Sequence, residues 1–240
     1  IDSCGICGSD LHEYTAGPIF VPEGTPHPVS EEKAPIRMGH EYSGIIAEVG
    51  DDVTGLAVGD AVAVNPILYC GECRQCHEGN YHICDSIGFI GLSGGNGGFA
   101  ESAVVHAEHA VPLGDAVPVE HGALVEPLSV ALHAVRRSGL QAGDAVGVFG
   151  SGPIGLAVIQ CARVAGAGTI FVSEPREARR ERAADCGAAA LIDPMATDPV
   201  EYIQDHTNGG ADVTFEVAGV EPSFNAAVES TAPGGRTTIV

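Results

Sequence analysis

The sequence predicts an α/β protein, with a doubly wound parallel sheet in its second half and a mostly β domain in its first. Three observations carry this expectation. From residue 145 onward short apolar runs alternate with helical-period segments. A glycine-rich turn, "GSGPIG", joins the first of those runs to the first of those helices. Before residue 120 the chain is instead broken by Gly, Pro and Asp into short β-like runs such as "SGIIAEVG" and "DAVAVNPIL".

Residues 119–137, "VEHGALVEPLSVALHAVRR", change character: Leu124, Leu128, Ala131, Leu132 and Val135 recur at helical spacing. Arg136 and Arg137 lie near the end of this predicted helix, where cations suit the dipole. The alternation that follows reads "AVGVF" strand, "IGLAVIQCARVAGA" helix, "TIFVS" strand, "REARRERAADCGA" helix and "AALI" strand. It continues with "PVEYIQDHT" helix, "DVTFEV" strand, "PSFNAAVEST" helix and "RTTIV" strand. Such alternation implies parallel strands with helices on both faces. The expected division is 1–130 and 131–240, without internal repeats or a low-complexity linker.

Composition excludes several functions. There are 32 acidic against 11 basic residues, Lys33 being the sole lysine, for a formal charge of -21. Nucleic acid and anionic membranes are poor partners for that surface, since both select Lys and Arg. The acids are scattered among apolar segments, so the chain is not expected to be disordered. Such a surface repels itself in dilute buffer, and molar salt shortens screening to roughly 3 Å. A halophilic, cytoplasmic protein is the expectation. No run of eighteen apolar residues occurs, and the opening "IDSCGICGSD" lacks the basic and apolar regions of a secretory signal.

The glycine turn sits between an apolar strand and a helix, the context that gives GxGxxG meaning. Gly150 permits the tight turn, Gly152 lets backbone approach a pyrophosphate, and Gly155 lets helix and strand pack. The helix opening at Pro153 and Ile154 then offers free N–H groups to phosphates. Glu174 stands nineteen residues past Gly155, at the end of the second strand. An acid there accepts ribose hydroxyls and repels a 2′-phosphate, favouring NAD over NADP. Arg176 and Arg179 nearby leave NADP open, and Arg179 joins the expected cofactor contacts.

Six of the eight cysteines cluster. Cys70, Cys73, Cys76 and Cys84 have the spacing C-x2-C-x2-C-x7-C, suited to a closed structural zinc. An iron–sulfur run would have three residues before its fourth cysteine and proline after it; here there are seven, then Asp85. Cys161 and Cys186 stand alone in alanine-rich helical sequence and are expected to pack as small apolar residues. In "CGICGSDLH" the Cys4–Cys7 pair lacks the strand-then-helix setting of a redox motif. Cys7, His40 and one acid, Glu41 or Glu126, would instead give a catalytic zinc three unlike ligands and an open fourth position. Cys4 is expected to be packing.

Taken together, "CGICGSDLH", "GHEYSGIIAEVG", "VGDAVAVNP", the cysteine quartet, "GGFAESAVV", "EPLSVALHAV" and "GSGPIG" resemble the zinc-dependent medium-chain alcohol/polyol dehydrogenase family, in family order along the whole chain. Within it, "DLHEYTAGPIFVP" and "EPLSVALH" are most similar to 2,3-butanediol dehydrogenases, then to sorbitol and threonine dehydrogenases. The resemblance implies a GroES-like catalytic domain beside a Rossmann domain. It also implies two Zn²⁺ per chain, NAD, and a small-molecule alcohol, diol or polyol substrate. A homo-oligomer, dimer or tetramer, follows from it as well, as does a chain that extends further at both ends.

By the same resemblance Cys7 and His40 are zinc ligands, Ser9 takes the alcohol proton, His12 passes it to solvent, and Glu41 lies beside the metal. Glu126 stands where simple alcohol dehydrogenases have a second cysteine ligand, as in the polyol branch. Cys7, Glu41 and Glu126 bound together would place three negative charges on one Zn²⁺, so both carboxylates are not expected in the reactive inner sphere. Two other classes are weighed against this one: a zinc-free quinone or enone reductase, and a zinc- and nucleotide-binding sensor without turnover.

Overall fold

The computed structural model describes residues 1–240, which divide into two compact units, Ile1–Glu126 and Pro127–Val240. In the first unit, strands β1 (Ser3–Gly5), β2 (Glu41–Ile45), β3 (Ala61–Val64) and β6 (Ala110–Pro112) form an antiparallel sheet in the order β1-β2-β3-β6. Strands β4 (Ile67–Leu68) and β5 (Gly88–Phe89) pair separately, flanking a lobe that contains the short helix α2 (Arg74–His77). Tyr42, Val64, Leu68 and Ile90 form the core of this unit.

Helix α1 (Gly8–Ala16) buries only Asp10, so burial of an apolar face does not explain it. What starts it is Asp10 itself, whose Oδ2 accepts the Cys7 N–H at 2.9 Å. A side chain reaching back to cap its own helix start satisfies a donor that would otherwise be orphaned.

The division falls inside helix α3 (Val125–Ser138). The second unit then continues through β7 (Val146–Phe149), α4 (Pro153–Val164), β8 (Ile170–Ser173), α5 (Glu177–Cys186) and β9 (Ala190–Ile192). Helix α6 (Pro199–Asp205), β10 (Ala211–Glu216), α7 (Glu221–Glu229) and β11 (Thr231–Ile239) complete it. All strand pairs here are parallel, in the order β11-β10-β7-β8-β9.

Alternation along the strands splits their side chains between two cores. Val146, Val148, Ile170 and Val172 pack with Val158 and Ile159 of α4 and Ala183 of α5. Phe149 and Phe171 point the other way, against Ile203 of α6 and Ala227 of α7. Strand order reverses between β7 and β10, and the crevice at that switch point is where open α/β sheets bind ligands.

Two expectations are corrected. The segment read as one helix from 119 is a 3-10 turn over Val119–Leu124, with the α-helix starting only at Val125. Tertiary contact overrides the periodicity: Ser43 Oγ donates to the Val119 carbonyl at 2.6 Å, and a Cβ at Gly122 would sit 2.6 Å from that of Ser43. Leu124, Leu128 and Leu132 are exposed by 54%, 38% and 41%, while Ala131, Ala134 and Val135 are the buried face of α3. The last strand begins at Thr231 rather than 236, because a register shift between Ala211 and Val213 absorbs the "APGG" stretch.

Candidate functional site

Cys7 ends the loop before α1, and His40 and Glu41 sit where the chain enters β2. Pairing of β1 with β2 brings these distant segments together, with Gly5 opposite Glu41 and Cys4 opposite Tyr42. A Cβ on Gly5 would displace the Glu41 carboxylate, so the glycine leaves that group its place. A ligand atom from each of Cys7, His40 and Glu41 lies within 4.8 Å of the others, close enough to converge on one ion. His40 and Glu41 are buried and Cys7 is half-buried.

Asp10, which the sequence reading did not single out, completes this group. It is 4% exposed, and its Oδ1 lies 3.5 Å from His40 Nδ1. Neither atom has a hydrogen-bond partner, although both are buried. A carboxylate facing Nδ1 leaves Nε2 for a metal, and metal-binding histidines usually donate their other ring N–H to such a group. Two facing orphan atoms and a soft–imidazole–carboxylate donor set fit a zinc ion.

Ser9 Oγ donates to Cys7 Sγ at 3.3 Å. Burial pushes the Cys7 thiol up, and the Ser9 hydroxyl and N–H oppose this. His12 lies on the exposed side of α1. Glu126 is near the group but not among the three converging ligands. Burial pushes its carboxyl up to about 7, partly offset by His40 and reinforced by the charge of Glu41.

The quartet is assembled within the lobe alone. Cys73 Sγ is 3.5 Å from Cys76 Sγ and 3.9 Å from Cys84 Sγ, and Cys84 Sγ is 3.5 Å from Cys70 Sγ. A tetrahedron with Zn–S bonds of about 2.3 Å has edges of about 3.8 Å, so the sulfurs already stand at the right separations. Backbone N–H groups of Cys70, Cys73 and Ser86 donate to sulfur at 3.3–3.4 Å. N–H groups of Asp85 and Cys76 bring the Cys73 thiol down to about 6. All eight cysteines are free of disulfides.

In the second unit a cleft of about 970 Å³ opens over the glycine turn, lined by Gly150, Gly152, Glu174, Arg176 and Arg179 among others. Gly150 has φ +103°, and a Cβ on it would meet Ala218 at 3.0 Å. At Gly155 a Cβ would overlap the Gly150 carbonyl, so helix and turn touch directly. A Cβ on Gly152 would meet only the Arg179 guanidinium, at 3.9 Å, so a phosphate could approach the backbone there. Pro153 and Ile154 form the first turn of α4.

Glu174 is 3% exposed, and its carboxylate holds the turn in place. It accepts the Ser151 N–H and the Arg176 N–H, each at 3.0 Å. Arg179 Nη1 stands 3.8 Å from the same group. The sequence located this acid but not its bonds to the turn.

The family description "Alcohol dehydrogenase GroES-like domain" matches residues 1–115, and "Zinc-binding dehydrogenase" matches residues 153–240. The (R,R)-butanediol dehydrogenase of Bacillus subtilis (strain 168) is 49% identical over 238 residues, covering 99% of this chain and 67% of that protein. The crystal structure of the B. subtilis 2R,3R-butanediol dehydrogenase superposes with a TM-score of 0.92 at 49% identity, covering 99% of this chain and 67% of that one. A zinc-binding dehydrogenase from Sinorhizobium meliloti 1021 bound to NADP superposes at 0.88 with 34% identity, covering 99% and 67% respectively. The chain thus spans about two thirds of the length of these relatives.

Proposed function

The chain belongs to the zinc-dependent medium-chain alcohol dehydrogenase family, and from that premise we propose that it oxidises a vicinal diol, 2,3-butanediol to acetoin, with NAD. The observation that carries this reading is the convergence of Cys7, His40 and Glu41 behind a buried, imidazole-facing Asp10. A relative at 49% identity named for that diol sets the substrate. Sorbitol or L-iditol and L-threonine are the alternatives within the same chemistry.

Bound zinc supplies Lewis acidity at the alcohol oxygen, and bound NAD supplies the two-electron acceptor. Cys7 and His40 hold the metal, with Glu41 or Glu126 as third ligand but not both in the reactive state. Asp10 keeps the His40 imidazole oriented. Ser9 takes the hydroxyl proton from the alcohol, and exposed His12 passes it to solvent. Diol and NAD⁺ therefore give hydroxyketone, NADH and one proton.

Gly150 and Gly152 in the cleft, with the first turn of α4 at Pro153 and Ile154 packed onto the turn through Gly155, would hold the pyrophosphate, and Glu174 and Arg179 would meet the adenosine ribose. The Glu174 charge favours NAD over NADP. The quartet Cys70, Cys73, Cys76 and Cys84 holds the second zinc in a structural role.

The test is a substrate panel on the purified protein, read as nicotinamide absorbance beside zinc per chain. Butanediol stereoisomers, sorbitol, threonine and a quinone are run with NAD and with NADP. The expected result is two zinc ions and NAD-linked oxidation strongest on a butanediol. Turnover that survives chelation, with one zinc per chain, overturns the mechanism. Preference for sorbitol overturns the substrate.

The formal charge of -21 fits a protein working in molar salt; a cytoplasmic homodimer or homotetramer is proposed from the family resemblance alone. No helix is long and apolar enough to cross a membrane. Activity and far-UV circular dichroism that do not change between dilute and molar KCl would remove the salt argument.

A further inference from the structure

The segment Gly91–Gly98, "GLSGGNGG", has no part in the reading above, yet it is built at high conformational cost. Gly91, Gly94, Gly95 and Asn96 all have positive φ, at +85°, +108°, +73° and +52°. Its anchors show what it is built against. Gly98 N–H donates to the Gly39 carbonyl at 2.7 Å, and Phe99 N–H donates to the Met38 carbonyl at 2.9 Å.

Close approach without side chains marks residues 37–39 twice and their neighbours Cys4 and Tyr42 once. A Cβ on Gly91 would overlap the Gly39 carbonyl oxygen, and one on Gly97 would overlap the carbonyls of Arg37 and Met38. One on Gly98 would come within 2.7 Å of Cys4 Sγ and of Tyr42. The loop therefore lies directly on residues 37–39, the backbone that delivers His40. Its far side is tied down separately: Glu32 Oε2 accepts the Gly95 N–H at 3.0 Å, Ser30 Oγ donates to the Ser93 carbonyl, and Tyr42 Oη donates to the Asn96 carbonyl at 3.1 Å.

Gly39 itself has φ +95°, so the peptide before His40 is held in a conformation that side-chain-bearing residues avoid. Nothing within residues 37–41 enforces this; the bond from Gly98 and the wall of Gly91 do. We propose that the Gly91–Gly98 loop is a positioning element for His40, fixing the peptide ahead of it so that the imidazole meets Cys7 and Glu41. Small displacements of a catalytic group are expensive, about 10²-fold for roughly 1 Å. The proposal rests on the reading of Cys7 and His40 as zinc ligands.

The test compares Gly91→Ala with Gly95→Ala. Both glycines have positive φ, so both variants carry the same kind of backbone strain. A Cβ at Gly95 meets only Ile90, no closer than 3.3 Å and away from residues 37–39, whereas one at Gly91 would overlap the Gly39 carbonyl oxygen. The readouts are zinc per chain, zinc affinity by competition with a chromogenic chelator, and the visible spectrum after cobalt substitution.

Unaltered protein should bind two zinc ions, one of them in the quartet. Gly91→Ala should keep the quartet zinc and weaken the other roughly 10- to 100-fold, as loss of a supporting contact does, with a shifted cobalt spectrum. Gly95→Ala should bind both within about twofold of the unaltered protein. If Gly91→Ala proves insoluble, Glu32→Ala decides, since it removes the Gly95 anchor and loosens the far side of the loop without adding an atom near Gly39; faster release of one zinc is expected.

Equal zinc affinity in Gly91→Ala and Gly95→Ala overturns the positioning role, as does Glu32→Ala releasing zinc at the unaltered rate when it is the deciding variant. One zinc in the unaltered protein overturns the underlying ligand assignment instead, so the two failures are distinct.

Discussion

Cys4–Cys7 and Cys70–Cys73 have the same C-x2-C spacing, but the fold uses them in opposite ways. In the lobe all four thiols belong to one fifteen-residue segment and stand at tetrahedral separations without help from the rest of the chain. At the other site only Cys7 takes part, and its partners arrive from residues 40 and 41 through the β1–β2 pairing. A closed cage can be written locally because it needs only four identical donors. An open site needs unlike donors, a supporting carboxylate and space for a substrate, and these come from different elements.

The sharpest way to break the comparison is His40→Gln. Loss of the imidazole should abolish diol oxidation by about 10³-fold or more, since metal polarisation is worth several kcal/mol and each 1.36 kcal/mol is tenfold. The quartet should keep its zinc, seen as one ion per chain. Loss of both ions would mean that the two sites are not independent.

Asp10→Asn comes next. It retains the cap on Cys7 N–H through the amide oxygen but removes the charge facing His40 Nδ1. Metal affinity at this site should fall roughly 10- to 100-fold, measured by zinc competition, with helix content unchanged. An unaltered affinity would reduce Asp10 to a helix cap.

Cys84→Ser probes the other region. Structural zinc contributes folding energy, so Tm should fall by roughly 5–10 °C while the turnover of remaining folded protein stays within about twofold. Scanning calorimetry with parallel kinetics separates the two. A thousandfold loss of turnover without a change in Tm would mean that the cluster acts in the chemistry.

What the sequence made legible follows from range. The strand and helix order of the second half shows because most elements carry their own period, and the strands from 146 and 170 and the helix from 153 fall where the apolar runs put them. The glycine turn and the quartet are local patterns too. Asp10 was hidden because its meaning depends on an imidazole thirty residues away. The same holds for "GLSGGNGG": glycines read as loop, and nothing nearby says that Gly91 and Gly97 face the backbone before His40. Leu124, Leu128 and Leu132 misled in the opposite sense, giving a helical stripe whose buried face is in fact the alanines beside it.

Cys4→Ala is the smallest change, and it tests whether spacing or surroundings selects a ligand. Cys4 Sγ packs against Gly39 and Gly98, at 3.0 and 2.7 Å from where their Cβ atoms would be. Burial, with the charges of Asp10 and Glu41 adding to it, pushes its thiol up to about 11. Burial pushes the Cys7 thiol up as well, so position separates the two: Cys7 converges with His40 and Glu41, and Cys4 does not. Replacing Cys4 should leave two zinc ions per chain and turnover within about twofold, with a packing loss of about 1 kcal/mol. That loss should appear as a Tm lower by about 2–4 °C. If zinc content dropped to one, the half-buried thiol would be a ligand after all, and the two cysteine pairs would be alike.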